Sequence, residues 1–187
     1  MKKNKKAFTL VEILICILIA SLIMVGLMNL FQVGIKGSSK GLAHLENMET
    51  AFILMSQIEY DLLRAYNITD PQNGSEDNGA KWDFWYGNSD SNKASVDYSY
   101  ENNAIARKVT LYNLNGSIGG NEKTYFCKGY NVDLKFLHLV FEVGSSDFSK
   151  KRHGMWVELT VSSKDNRNGG NNEPFTLKRL IIVHKKQ

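Results

Sequence analysis

Few side chains in this 187-residue chain have the type and spacing to do chemistry, and one of them sits in an unexpected place. Glu12 lies four residues after Phe8, in the run Ala7-Phe8-Thr9-Leu10-Val11-Glu12, at the edge of a long apolar segment. A carboxylate beside a stretch greasy enough for a bilayer is costly and rare in plain anchors, so its presence points to a task. The chemistry open to it is charge pairing. A carboxylate and an ammonium are each expensive when unpaired in apolar surroundings, and together they relieve one another. Ordinary enzyme sites are not in evidence. His44, His138, His153 and His184 are scattered, without HExxH or Cys/His ligand spacing. No Gly-rich phosphate loop follows a strand pattern, and there is no nucleophile elbow. The expectation is a non-enzymatic protein with no catalytic residues, no cofactor and no metal.

The segment that carries Glu12 reads as a membrane helix. No charge occurs from Ile13 to Met28. With Phe8 to Val11 before it and Leu30 to Val33 after it, the stretch reaches about 25 residues, where about 20 cross the hydrocarbon core. Lys2, Lys3, Lys5 and Lys6 precede it. The positive-inside rule keeps these lysines in the cytoplasm and puts everything after about residue 36 outside. A cleaved secretory signal fits poorly, because the apolar core is too long and the nearest small-x-small site, Gly41-Leu42-Ala43, lies beyond it. A lipoprotein signal fails because Ile15 precedes Cys16. A plain single-pass anchor accounts for the lysines and the length but leaves Glu12 without a role.

The residues Lys6-Ala7-Phe8-Thr9-Leu10-Val11-Glu12 resemble the type IV prepilin signature, shared by pilins, minor pilins and the pseudopilins of type II secretion. Basic leader, Phe, a Glu at the fifth position after the cut and an apolar helix coincide. The resemblance implies that a prepilin peptidase cuts between Ala7 and Phe8 and N-methylates Phe8. Gly is usual before the cut, and Ala7 is a small variant of it. The resemblance also implies that the new Phe8 amine pairs with Glu12, within one chain or between neighbours, and helps set subunit register during assembly. Expected partners are the peptidase, other minor and major pilins or pseudopilins, the inner-membrane assembly platform, and the membrane itself through residues 8–34.

The net charge of +4 invites a nucleic-acid reading, yet the leader holds four of the 23 Lys and Arg and none of the 19 acidic residues. Without it the chain carries 19 of each sign, so no strong nucleic-acid signal remains. Of the two cysteines, Cys16 lies in the apolar helix and Cys127 far downstream, where it reads as a small buried apolar residue.

The first proline is Pro71, so a helix can run from about Phe8 to Tyr66. Gly34, Gly37 and Gly41 mark a weak stretch in it, each glycine costing about 1 kcal/mol relative to alanine. Beyond, Leu45, Met48, Phe52, Met55 and Leu62 recur at helical spacing, widened by Leu54, Ile58 and Ala65 into a stripe fit to pack on a sheet. Residues 67–79 are rich in turn signals. Strand patterns follow at Lys81–Tyr86, Asp97–Tyr100, Ala106–Leu114 and Thr124–Lys128, with turns at Asn115-Gly116 and Gly119-Gly120. The strongest are Val132–Val143, Gly154–Ser162 and Phe175–His184, expected as a meander. The expected fold class is α+β: a pilin-like long N-terminal helix, half membrane and half amphipathic, packed on an antiparallel β-sheet head. The expected organisation is a leader at 1–7, a membrane or filament-core half at 8–34, an amphipathic half at 35–66 and a β-rich head at 67–187.

The back half is loosely similar to the J-type minor pseudopilins of type II secretion and to W-type minor pilins. Ile58-Glu59-Tyr60-Asp61-Leu62-Leu63-Arg64-Ala65, the strand from Leu137 followed by a polar loop and Trp156, and the final hairpin from Phe175-Thr176-Leu177 carry that likeness. It implies a minor subunit at a filament tip that primes assembly. Two other roles stay open: a tip module that binds DNA or a surface, and a static membrane-anchored β domain. The donor-rich run from Asp165 to Glu173 fails calcium-loop spacing because Arg167 occupies a ligand position, and it reads as a long hairpin loop.

Overall fold

A computed structural model gives the fold and describes residues 9–72, 74–85, 93–142, 151–164 and 173–183. One helix, α1 (Leu10–Leu63), is followed by nine strands: β1 (Ala65–Asp70), β2 (Glu76–Asp77), β3 (Ala80–Trp85), β4 (Lys93–Glu101), β5 (Ala104–Tyr112), β6 (Ile118–Phe126), β7 (Tyr130–Glu142), β8 (Lys151–Ser163) and β9 (Phe175–Val183). The chain divides into two units, Met1–Leu42 and Ala43–Gln187. In the first, α1 is helical throughout from Leu10, and the glycine stretch from Gly34 to Gly41 brings no break in the helix.

In the second unit the head holds two antiparallel sheets where the sequence suggested one. The first sheet has the order β1-β3-β4-β5-β6 and the second β2-β7-β8-β9. The expected meander β7-β8-β9 is present, with the two-residue β2 added at its edge through Glu76↔Leu137. Strands β1 and β2 fall in a stretch whose composition signals turns; β1 holds its place only as an edge strand with irregular register against β3. Strand β6 begins earlier than expected because Gly119 and Gly120 lie in the strand, not in a turn. The turn is Asn113–Ser117, closed by Asn113 N–H to Ser117 O at 2.8 Å with Gly116 at φ 79°. A Cβ at Gly119 would sit 2.5 Å from Asn113 Oδ1, so a larger residue there would have to displace the Asn113 side chain.

The core forms where α1 meets the inner faces of both sheets. Its helical face is Asn47, Ala51, Leu54, Met55, Ile58, Asp61 and Leu62. Of the apolar stripe read from sequence, Leu54, Met55, Ile58, Leu62 and Ala65 are buried as expected, but its edge is shifted. Leu45 and Phe52 are exposed, while Asn47 and Asp61 are buried. Trp82 of β3 stacks on Tyr98 of β4 at 5.3 Å between ring centroids, and Phe136 of β7 meets both, joining the two sheets. Strand β8 alternates strictly: Met155, Val157, Leu159 and Val161 point inward, while Trp156 is partly exposed on the outer face.

Candidate functional site

The sequence singled out Ala7, Phe8 and Glu12. Ala7 and Phe8 lie outside the described residues. Glu12 is described, and its partner is one that reading by charge alone missed. Thr9 is the N-cap of α1, with Ile13 N–H donating to Thr9 O at 3.3 Å as the first helical bond. Glu12 Oε2 accepts from Thr9 N–H at 2.8 Å and from Thr9 Oγ1 at 3.0 Å, and Glu12 N–H returns a bond to Thr9 Oγ1 at 3.3 Å. This is a capping box, in which a Thr and a Glu three residues later satisfy one another's backbone donors. The signal was in the sequence, as Thr9-x-x-Glu12 before an apolar run. The carboxylate is therefore aimed at the amide one bond away from Phe8, the residue whose amine it is expected to meet.

The helix behind this cap is apolar all round. Every Leu, Ile, Val, Met and Phe from Leu10 to Ile35 is exposed, between 49% (Leu27) and 76% (Leu10). Water does not tolerate such a surface, and its stable surroundings are lipid or other helices. By length and composition this helix is able to cross a membrane.

The head carries two further polar clusters. Asp61, wholly buried on α1, accepts Arg107 Nε at 2.6 Å and Nη2 at 2.9 Å, Tyr98 Oη at 2.7 Å and Gln57 Nε2 at 3.3 Å. Burial, with the Asp61 charge next to it, drives the Tyr98 phenol well above its ordinary range. Burial works against the Arg107 charge, but the Asp61 bonds outweigh it and hold the guanidinium firmly protonated. Every contact in this cluster is internal, and it locks helix to sheet. The second cluster joins two histidines that the sequence left scattered. His138 Nε2 lies 3.0 Å from His153 Nδ1, and His138 Nδ1 lies 3.1 Å from Pro71 O. The pairing of β7 with β8 brings them together across 15 residues of chain, a proximity that no local motif encodes. Cys127 is buried as expected, and burial pushes its thiol up to about 12. Among the described residues no group of three or more His, Cys, Asp or Glu is placed to hold a metal. Of the run considered for calcium, Asp165 to Glu173, residues 165–172 lie outside the described residues.

A long N-terminal helix with its head of two antiparallel sheets is an α+β, pilin-like architecture. Residues 2–28 match the family described as the prokaryotic N-terminal methylation motif, which supports a type IV prepilin-like N-terminus. That family is defined by a structural pilin motif, not by an enzymatic activity. No curated protein and no solved structure matches the chain.

Proposed function

We propose that this protein is a minor pilin or minor pseudopilin. Prepilin peptidase cuts it between Ala7 and Phe8 and methylates the Phe8 amine, and the product joins the tip of a type IV pilus or type II secretion pseudopilus, where it primes assembly. The observation that carries the reading is the methylation motif at residues 2–28, ending in a capped, fully exposed apolar helix. In this reading residues 1–7 are the leader and stay cytoplasmic, residues 8–34 wait in the inner membrane, and the rest lies in the periplasm or outside. The helix then leaves the bilayer for a filament core, exchanging lipid for neighbouring helices.

The Phe8 amine is central to the mechanism. Once freed, it lies one residue before Thr9, whose N–H already points at Glu12 Oε2. In this reading the carboxylate passes from the Thr9 amide to the ammonium of the same chain or of a neighbour. Either pairing removes two desolvation costs together.

Intact mass and N-terminal sequencing of the protein from its native membranes test this reading. The expected product begins at N-methylated Phe8. A chain still beginning at Met1 removes the assembly model and leaves a static single-pass anchor.

A further inference from the structure

In β3 and β4, Trp82, Phe84, Ala94 and Val96 fill the core, so Asp83, Lys93 and Ser95 lie on the opposite, outer face of the first sheet. A surface pocket of about 320 Å³ opens at one end of that face, with Tyr66, Asp83, Lys93, Tyr112 and Asn113 in its lining. This is the small end of the range for ligand pockets, with room for a single sugar-sized ring.

Two breaks in strand register shape it. In β1, Ala65 pairs with Phe84 and Asn67 with Asp83, so Tyr66 is an extra residue, thrown out of the ladder into the pocket wall. In β6, Leu111↔Gly120 is followed by Tyr112↔Ile118, which leaves Gly119 as the extra residue. The adjoining turn supplies another wall, held by Asn113 N–H to Ser117 O at 2.8 Å and by Asn113 Nδ2 to Ser117 Oγ at 3.0 Å. Tyr112 is anchored through its Oη, 3.2 Å from Oγ of the buried Ser95. Burial, with Asp83 and Tyr112 close by, raises the Tyr66 phenol, which therefore stays neutral, both donor and acceptor. Walls set before a ligand arrives lower the cost of ordering it.

The lining selects by chemistry. One carboxylate and one ammonium share the pocket, so an anion meets Asp83, a cation meets Lys93, and neither has an advantage. A carboxylate accepts up to about four hydrogen bonds, and Asn67 Nδ2 takes one from Asp83 at 3.0 Å. The Lys93 ammonium brings several donors, and the phenols do both. A sugar ring answers all of these. Its hydroxyls donate and accept, and its C–H face lies well against an aromatic ring. We propose that this pocket binds a neutral pyranose, with hydroxyls bridging Asp83 and Lys93 and the ring against the tyrosines. The proposal does not depend on the chain being a filament subunit.

Saturation-transfer difference NMR on the full chain in lipid nanodiscs tests it, with empty nanodiscs as the blank. The probes are the methyl glycosides of glucose, galactose, mannose and N-acetylglucosamine. At least one is expected to receive saturation on its ring protons, with a millimolar Kd. Asp83→Ala and Lys93→Ala should each weaken binding at least about tenfold, as for a lost hydrogen bond to a charged group. Thr160→Ala, on the second sheet, should not. Lys93 is exposed, so its variant keeps the test open should Asp83→Ala unfold, and unchanged hydrogen-exchange protection of β4 and β5 shows that the fold survives. No binding by any of the glycosides, or equal binding in both pocket variants, overturns the proposal. Preference for glucuronate or glucosamine over the neutral parents, or binding of glycylglycine in place of the sugars, overturns the choice of a neutral pyranose.

Discussion

Arg107 of β5 grips Asp61 of α1 through two hydrogen bonds, 2.6 and 2.9 Å long, at a carboxylate with no solvent exposure. The contact joins residues 46 apart in sequence and ties the helix to the larger sheet. Removing one partner of a buried ion pair strands the other, at a cost of about 3–5 kcal/mol. Asp61→Ala is therefore expected to lower head stability by that amount in urea unfolding. Tyr98→Phe removes one bond to a charged acceptor and should cost about 1.5–3 kcal/mol. A cost below about 1 kcal/mol for Asp61→Ala would show that the pair fixes orientation without stabilising the fold.

Asp61 also shows where sequence reading reached its limit. Apolar spacing located the helix and the interface, because most of the buried face is Leu, Ile, Met and Ala. It placed Phe52 on that face and passed over Asp61, since a charge reads as solvent-facing until Arg107 and Tyr98, from strands far along the chain, satisfy it. The strong strands β7, β8 and β9 were legible from alternation and length. Strand β1 was not, as Asn67 and Asp70 carry turn signals and only pairing with β3 makes the segment extended. At the N-terminus, the Thr9–Glu12 cap was fully encoded in four residues. The His138–His153 contact was encoded nowhere locally.

Cys127 is expected to be inert in the folded head. The thiolate is the reactive form, and burial pushes this thiol up to about 12. Against an ordinary value of 9.0, its thiolate fraction near pH 8 falls by about a thousandfold, because each tenfold step follows one pH unit. Maleimide labelling followed by peptide mass analysis should find Cys127 unmodified in the native chain and rapidly modified in urea. Equal rates in both would show that the turn at Cys127 opens freely.

Charge and cap at Glu12 can be separated. Glu12→Gln keeps an oxygen for Thr9 N–H but loses the charge, whereas Thr9→Val keeps the charge and loses the hydroxyl. Loss of an N-cap costs about 1 kcal/mol, a small effect on a helix held by lipid. If amine pairing guides docking, Glu12→Gln and Glu12→Ala should both block filament assembly, with membrane insertion and leader cleavage intact. Thr9→Val should assemble. Sheared-filament and membrane-fraction immunoblots distinguish the two. Normal assembly by Glu12→Gln would assign the residue to capping alone.

The His138–His153 pair should make the head sensitive to mild acid. Pro71 O can only accept, so His138 Nδ1 carries the proton, and its Nε2 lone pair receives Nδ1–H of His153. Protonating His138 places a charge in a partly buried site and turns its Nε2 into a donor, which His153 can meet only by giving up its Nδ1 proton. Burial holds the His138 imidazole below its ordinary value of 6.5; the Pro71 carbonyl offsets this in part, and the His153 charge adds to it. For a base whose folded value is depressed, the unfolded chain takes up protons first as pH falls. Stability is therefore full above about pH 6.5, the unfolded range, and declines as pH falls through the lower folded value. The urea midpoint is expected to drop between pH 7.5 and 5.5, a window above most carboxylate titration. In His138→Gln, whose amide can still donate to Pro71 O, that drop should shrink. An equal drop in the variant would place the acid sensitivity elsewhere in the head.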